Sequence, residues 1–303
     1  MADAISTGQV DSFIPELWGN EVLARLPKYL NMANTVHRDF EEEVAKMGDK
    51  VNVPKTGTLT ATQKTANGDV TVQQPDDSEV EVALDDHYEV TFIVEDVAEA
   101  QSKLSVKDTY VSDAAVALAE KIEDLLYTEA KSNAGESVSA GASLAAADIL
   151  SMRKKHVDNK VPKVEPKYFY VDSSGMNDLL QVDEFIDVNK YGESAQPLAT
   201  GELGSIYGYR SFESQTVEGS GSPTSYDCVG YTRNALALVT RPLVQHGSGY
   251  GVKQRVVQDP ELGIGMRVSA SWNPTKLGLQ VTIDTLFGVK TLRADHVVKV
   301  THT

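Results

Sequence analysis

The sequence predicts an α+β protein, and three observations predict it. Apolar and polar residues alternate with a period of two in residues 46–100 and again from 203 to the end. Between these blocks "SVKDTYVSDAAVALAEKIEDLLYTEAKSN" switches to the helical period and keeps it. After that helix, strand-like and helix-like runs follow one another in a mixed unit. With 41% hydrophobic residues in a chain of 303, there is enough apolar side chain to build a core.

Residues 1–45 read as an arm. "DSFIPELWGNEVLARLPKYLNMANTV" sets Trp18, Val22, Leu26 and Leu30 at helical spacing, and Pro15 and Pro27 bound that helix. A helix so short cannot bury its own apolar face, so it needs a surface in cis or on a neighbour. Residues 46–100 read as an extended β-hairpin loop. "VTVQQ", "EVEVAL" and "YEVTFIV" alternate, and "NGD" and "PDD" supply turns. Large apolar residues are few there, so the loop has little core of its own and calls for support from another chain.

Residues 101–135 hold a long spine helix. Val111, Ala114 or Ala115, Leu118, Ile122, Leu125 and Leu126 form one stripe, and Ser105 is a candidate N-cap. About 25 residues at ~1.5 Å each give a rod of about 37 Å. Residues 136–245 form the mixed α/β unit, entered through the small-residue linker "SNAGESVSAGASLAA". A helix in "SLAAADILSMRKKHVDNKVP" stops at Pro162, "KYFYVD" is a buried strand, and "SSGMNDLLQ" opens a helix from a serine cap. Strand patterns continue through "GSIYGYRSFES", "YDCVGYT" and "ALALVT". Residues 246–303 are a β-rich return, with "GMRVSASW", "LGLQVTI" and "HVVKVTH" among its strands.

The net charge is −16, which argues against a grip on nucleic acid through phosphates. The charge is uneven. Asp69 to Glu99 carries eleven acidic residues and neither Lys nor Arg, whereas Thr240 to the end carries eight basic and four acidic residues. The acidic run is either a solvated face or a surface that meets basic residues such as Lys253, Arg255 and Arg267 of another copy.

Motifs for chemistry are missing. No apolar run approaches the ~20 residues of a membrane helix, and "MADAISTGQV" lacks the pattern of a signal peptide. Cys228 is the only cysteine, so no intramolecular disulfide forms, and it reads as a small apolar filler. "GELGSIYGYRSFES" spaces glycines as G-x-x-G-x-x-x-G, which matches neither a dinucleotide fingerprint nor a P-loop. Its Gly204 and Gly208 suit tight turns. The six histidines make no H-x-H or H-E-x-x-H pair, and "DDSEVE" and "DDHYE" lack the pattern of a calcium loop. No nucleophile motif is present. The reading is therefore no catalytic, cofactor-binding or metal site, and no cofactor.

The order of parts resembles the major capsid protein of tailed bacteriophages, with the Hong Kong 97 type of capsid fold that herpesvirus capsids share. "ELWGNEVLARLPK" and "GDKVNVPKTG" are similar to an arm entering that family's extended loop. "VEDVAEAQSKLSVKDTYVSDAAVALAEKIEDLLY" is similar to the loop's end entering the spine helix, and "VPKVEPKYFYVDSSGMNDLL" to a helix–strand–helix of the axial domain. "GELGSIYGYRSFES" is similar to a strand turn near that domain's centre. The resemblance implies a subunit that self-assembles, as hexamers and pentamers, into an icosahedral shell around the double-stranded DNA of a tailed phage. It makes residues 136–245 the axial domain and residues 246–303 a return through the axial and peripheral domains. It implies a separate scaffolding protein, since the arm is too short to carry a scaffolding domain. It also implies a portal, leaves a decoration protein open, and implies DNA held without sequence-specific contacts and no membrane. Assembly would occur in the host cytoplasm, and the site of residence is the virion capsid. Candidate intersubunit contacts are Trp18, Asp76, Asp77, Glu79, Glu81, Gly204 and Gly208; Lys64 and Asn67 are the nominal pair for a crosslink. Two alternatives stay open: an encapsulin-like nanocompartment shell, and a soluble α/β enzyme, against which the absent catalytic motifs count.

Overall fold

The computed structural model describes residues 31–39, 50–55, 59–74, 78–96, 106–182, 204–217, 219–220, 224–241, 243–244, 253–258 and 264–303. Its helices are α1 (Met32–Thr35), α2 (Val106–Ser132), α3 (Ala146–Asp158) and α4 (Ser173–Leu179). The strands are β1 (Lys50–Lys55), β2 (Ser78–Ala83), β3 (Asp86–Glu95), β4 (Glu136–Ser139), β5 (Lys167–Asp172), β6 (Ser205–Ile206) and β7 (Tyr209–Ser214). They continue with β8 (Tyr226–Thr232), β9 (Leu236–Arg241), β10 (Lys253–Gln258), β11 (Gly265–Asn273), β12 (Gly278–Thr291) and β13 (Val297–His302). The α+β class read from the sequence is the class observed.

The spine is α2, 27 residues long. Ala114, Leu118, Ala119, Ile122, Leu126 and Ala130 are buried on one face, the 3.6-residue stripe that the sequence displays. This face packs on a five-stranded sheet in the order β10-β11-β12-β3, with β9 also pairing β12. β12 organises that sheet. It pairs antiparallel with β3 from Gly278↔Glu95 to Phe287↔Asp86, and with β9 from Leu286↔Arg241 to Thr291↔Leu236.

The second sheet has six strands in the order β4-β13-β8-β5-β7-β6. Both of its faces are covered, which explains why its strands read as continuous apolar runs. Alternate residues go to opposite faces. Tyr170, Val229, Tyr231 and Val297 join the core under α2. Phe169, Val171, Cys228, Val298 and Val300 join a second core with Ile149 and Met152 of α3 and Met176 and Leu179 of α4.

Four local expectations differ from the structure. The linker "SNAGESVSAGASLAA" holds a strand, β4, because its backbone pairs parallel with β13 from Val298↔Glu136 to Thr301↔Ser139. "VTVQQ" forms no strand: residues 70–74 have no ladder partner among the described residues, and alternation without a partner leaves Val70 and Val72 in solvent. The cap of α4 is Asp172, not Ser173, because the Asp172 carboxylate accepts from the N–H groups of Ser174 and Gly175. β3 is embedded in the five-stranded sheet, so the segment 46–100 divides into a projecting hairpin and a strand of the body. The Ser105 cap and the helix around Trp18 fall outside the described residues.

Candidate assembly elements

The hairpin is built from β1 and β2, antiparallel from Lys50↔Ala83 to Lys55↔Ser78. Its base is apolar: Val51, Val82 and Leu84 pack on Ala237 and Val239 of β9. Gly288 of β12 allows the closest approach, since a Cβ there would sit 2.0 Å from the carbonyl oxygen of Ala83. Glu79 stands opposite Pro54, and Glu81 opposite Asn52. Lys50 Nζ donates to both carboxylate oxygens of Glu81 at 3.1 Å, so this acidic residue already has a partner within its own hairpin. Asp76 and Asp77 lie outside the described residues.

Beyond the ladder, residues 59–66 and 67–74 run out as two legs that turn at Asn67, whose φ is +58°. A single side-chain amide joins them. Gln73 Oε1 accepts from the backbone N–H of Thr60 at 2.8 Å, and Gln73 Nε2 donates to the Thr60 carbonyl. Leu59, Val70 and Val72 are 65%, 69% and 87% exposed on these legs. Three bare apolar side chains on a segment without a core mark a surface that needs a cover. Lys64 and Asn67 both sit on this exposed end.

The glycine stretch resolves into a two-residue hairpin. β6 and β7 pair at Ile206↔Tyr209, and the turn residues Tyr207 and Gly208 have φ of +48° and +91°. Two left-handed residues in succession give the turn whose twist matches a tight hairpin. Gly208 thus answers a backbone requirement. Gly204 does not share it: its φ is not in the left-handed region, and an added Cβ meets nothing within 4 Å. A strand follows the turn, so no helix N-terminus is aimed at a phosphate.

The arm side is held at residues 31–38. Met32, Ala33 and Val36 are buried in the core under α2. His37 bridges to β9, donating its N–H to the Leu236 carbonyl and accepting from Leu238 N–H, each at 3.0 Å. Thr35 Oγ1 and Tyr231 Oη are hydrogen-bonded at 2.6 Å. Glu123, on the buried face of α2 and 0% exposed, accepts from the N–H groups of Asn31, Met32 and Ala33 at 2.9, 2.7 and 3.1 Å. It also accepts from Tyr170 Oη at 2.8 Å. Burial pushes its carboxyl above the usual range, and these four donors pull it part of the way back. No sequence signal marks Glu123, because a carboxylate among apolar helix positions reads as a break in the stripe.

Several other buried polar groups pair with one another. Asp172, Cys228 and His302 are the one group of three metal-type side chains among the described residues. His302 Nε2 lies 2.7 Å from Asp172 Oδ1, and Cys228 Sγ donates to the same oxygen at 3.2 Å. Tetrahedral zinc separates its nitrogen and oxygen ligands by about 3.3 Å, so the Asp172–His302 pair has hydrogen-bond rather than coordination geometry. Burial, with Asp172 alongside, pushes the Cys228 thiol well above its usual value, which leaves it protonated and inert. Arg267 forks onto Asp284 with Nε at 3.0 Å from Oδ1, and His87 approaches Asp284 Oδ2 at 3.2 Å. Arg267 is therefore spent inside the chain and is unavailable to an acidic neighbour. His156 bonds Tyr209 Oη through Nδ1 at 2.5 Å and the His296 carbonyl through Nε2 at 3.1 Å. Burial holds both His156 and His296 below the ordinary histidine value. A cavity of about 330 Å³ lies between the outer end of the β1–β2 ladder and the 162–166 and 292–296 loops, lined by Val53, Lys55, Glu165, Arg293 and His296 among others.

Polar side chains consumed by internal contacts, together with apolar groups projected on an unsupported extension, define a structural protein made to pack against other chains. The chain belongs to the phage capsid protein family, whose model matches residues 41–303. It is similar in structure to a chain from Mycobacterium phage Che8, with a TM-score of 0.72, 21% identity and coverage of 95% of this chain and 97% of that one. The capsid structure of the cyanophage P-SCSP1u gives 0.68 at 15% identity, covering 97% and 94%. The mature capsid of bacteriophage PhiM1 gives 0.66 at 12% identity, covering 95% and 92%. No curated protein matches the sequence. The protein is a major capsid protein of a tailed phage, forming a shell from copies of itself, and these findings do not favour the nanocompartment or the enzyme.

Proposed function

We propose that this shell is icosahedral, is built of hexamers and pentamers, and encloses double-stranded DNA without sequence-specific contacts. In this reading residues 1–45 are the arm, 46–100 the extended loop together with its body strand β3, 101–135 the spine, 136–245 the axial domain and 246–303 the return strands. The subunit catalyses nothing, assembles in the host cytoplasm with a separate scaffolding protein, and meets a portal at one vertex. The carrying observation is the pair of legs at 59–74, where Leu59, Val70 and Val72 face solvent with no core beneath them. In a shell each copy covers these groups on its neighbour, and apolar burial at about 25 cal/mol per Å² rewards the contact. The acidic charge of the chain adds repulsion between shell wall and polyanion, which discourages sticking. Trp18, Asp76, Asp77, Glu79, Gly204 and Gly208 remain the proposed contact residues, with Glu81 acting first as the partner of Lys50.

The test is assembly of the purified chain, alone and with its scaffolding protein, followed by sedimentation and negative-stain microscopy. Closed shells or rings are expected. Compact monomers under every condition, with scaffold present, would defeat the reading.

A further inference from the structure

Three parts of the molecule meet on one buried carboxylate. Glu123 belongs to the spine helix, its three N–H donors to the segment that continues the arm, and its Tyr170 donor to β5 of the six-stranded sheet. We infer that Glu123 is a positioning residue that ties the direction in which the arm leaves the body to the seating of the spine helix on the six-stranded sheet.

The chemistry of the contact carries this inference. A carboxylate offers about four acceptor positions, and all of its described contacts are donors from elements other than its own helix. Among the described residues its hydrogen-bond partners are the three N–H groups and the Tyr170 hydroxyl, none of them a cation. Tyr231 and Thr35 close the neighbouring side with a hydrogen bond of their own, and Tyr127 lies against the Tyr170 ring at 6.3 Å. Removing the carboxylate would leave the buried N–H groups of Met32 and Ala33, and the part-buried one of Asn31, with no acceptor, the costly case for burial. A helix holding only an apolar contact could slide under residues 31–38, because apolar packing is non-directional. Hydrogen bonds to both carboxylate oxygens fix the rotation of α2 and the placement of Asn31–Ala33 together. The bridge from His37 to β9 holds the other end of the segment, so the point at which the preceding residues depart is fixed at two places.

The inference rests on the arm being an assembly element, but its test does not need assembly. Hydrogen exchange on the isolated protomer would compare wild type with Glu123→Gln, Tyr170→Phe and the double variant. Glu123→Gln keeps one acceptor and turns an amide N–H₂ toward a donor. Protection in peptides covering residues 31–38 is expected to fall ~10-fold or more in each single variant, the scale of a lost charge-assisted hydrogen bond. The double variant should be no worse than the more severe single variant, because both act on one contact. Protection in β8 and β13 should stay at wild-type levels. Unchanged protection at 31–38, a loss shared equally by β8 and β13, or two effects that multiply would each overturn the inference. If Glu123→Gln does not fold, Tyr170→Phe decides alone: loss confined to 31–38 supports the coupling, and no loss ends it. Particle yield for the same variants then reports separately on the arm as an assembly element.

Discussion

Gly288→Ala is the most direct lever on the projecting hairpin. Gly288 lies on β12 where the hairpin returns to the body, and its missing side chain makes room for the Ala83 carbonyl. A Cβ would stand 2.0 Å from that oxygen, 2.9 Å from the Ala83 carbonyl carbon and 3.4 Å from Leu84 Cα. All three are main-chain atoms, so no rotamer change relieves the contact. Ordinary contact begins near 3.4 Å, so the Ala83 segment must withdraw by more than 1 Å. The withdrawal opens the packing of Val51, Val82 and Leu84 on β9. Overpacking of this kind costs about 1–3 kcal/mol, which at about 2.1 cal/mol/K per residue over 303 residues lowers Tm by about 1.6 °C per kcal/mol. Differential scanning fluorimetry of the protomer should show a drop of a few degrees. Sedimentation should show a larger loss, because a tilted hairpin no longer meets the neighbouring copy. Gly204→Ala is the control, with nothing within 4 Å of its new Cβ. A Gly288→Ala protein with wild-type Tm and wild-type shell yield would refute the argument that the hairpin is set by this contact.

Gly208→Ala, at φ +91°, should cost about 1 kcal/mol or more in chemical denaturation, while Gly204→Ala stays near neutral. Replacing Asp76, Asp77, Glu79 and Glu81 by lysine should slow shell formation followed by light scattering and leave protomer unfolding nearly unchanged, since the one described ion pair lost, Lys50–Glu81, is exposed. Moderate salt should weaken wild-type assembly in the same assay. His156 and His296 are held neutral by burial with lowered values, so the folded state binds fewer protons than the unfolded one below about pH 6.5. Their contribution is complete above that pH and is lost as pH falls toward their folded values. Urea titrations from pH 7 to 5 should show falling stability, with a shallower slope in His156→Gln.

The spine was legible because a helix under a sheet must show a 3.6-residue stripe, and Leu118, Ile122 and Leu126 show it. The central strands of the six-stranded sheet were legible because burial on both faces concentrates apolar residues, as in "KYFYVD"; the edge strand β4, "ESVS", was hidden in what reads as a linker. Pairing was hidden. That β12 serves both β3 and β9 depends on contacts about 190 and 50 residues apart, which no local pattern encodes. "VTVQQ" has the composition of a strand and lacks the neighbour that would make it one. Asp172 and Ser173 are both good caps by type, and only geometry selects the carboxylate. The two glycines of the β6–β7 region are alike in sequence and differ in φ. For contacts with another copy the sequence offers only a candidate region, the acidic loop. The ion pair within it and Glu123 beneath the arm both require side chains brought together from separate segments.

The ten-position ladder between β3 and β12 has a mechanical consequence. Tension along the strand axis loads all of its rungs at once, so they share the force and must fail together. The same pull at right angles would open them singly, from one end. β3 carries the chain directly from the hairpin into the body, so in the proposed shell a neighbour that grips the legs would load the ladder through it. A pull along β3 would strain the ladder in shear, its resistant direction, and the hairpin would then behave as a tie rod rather than a zip.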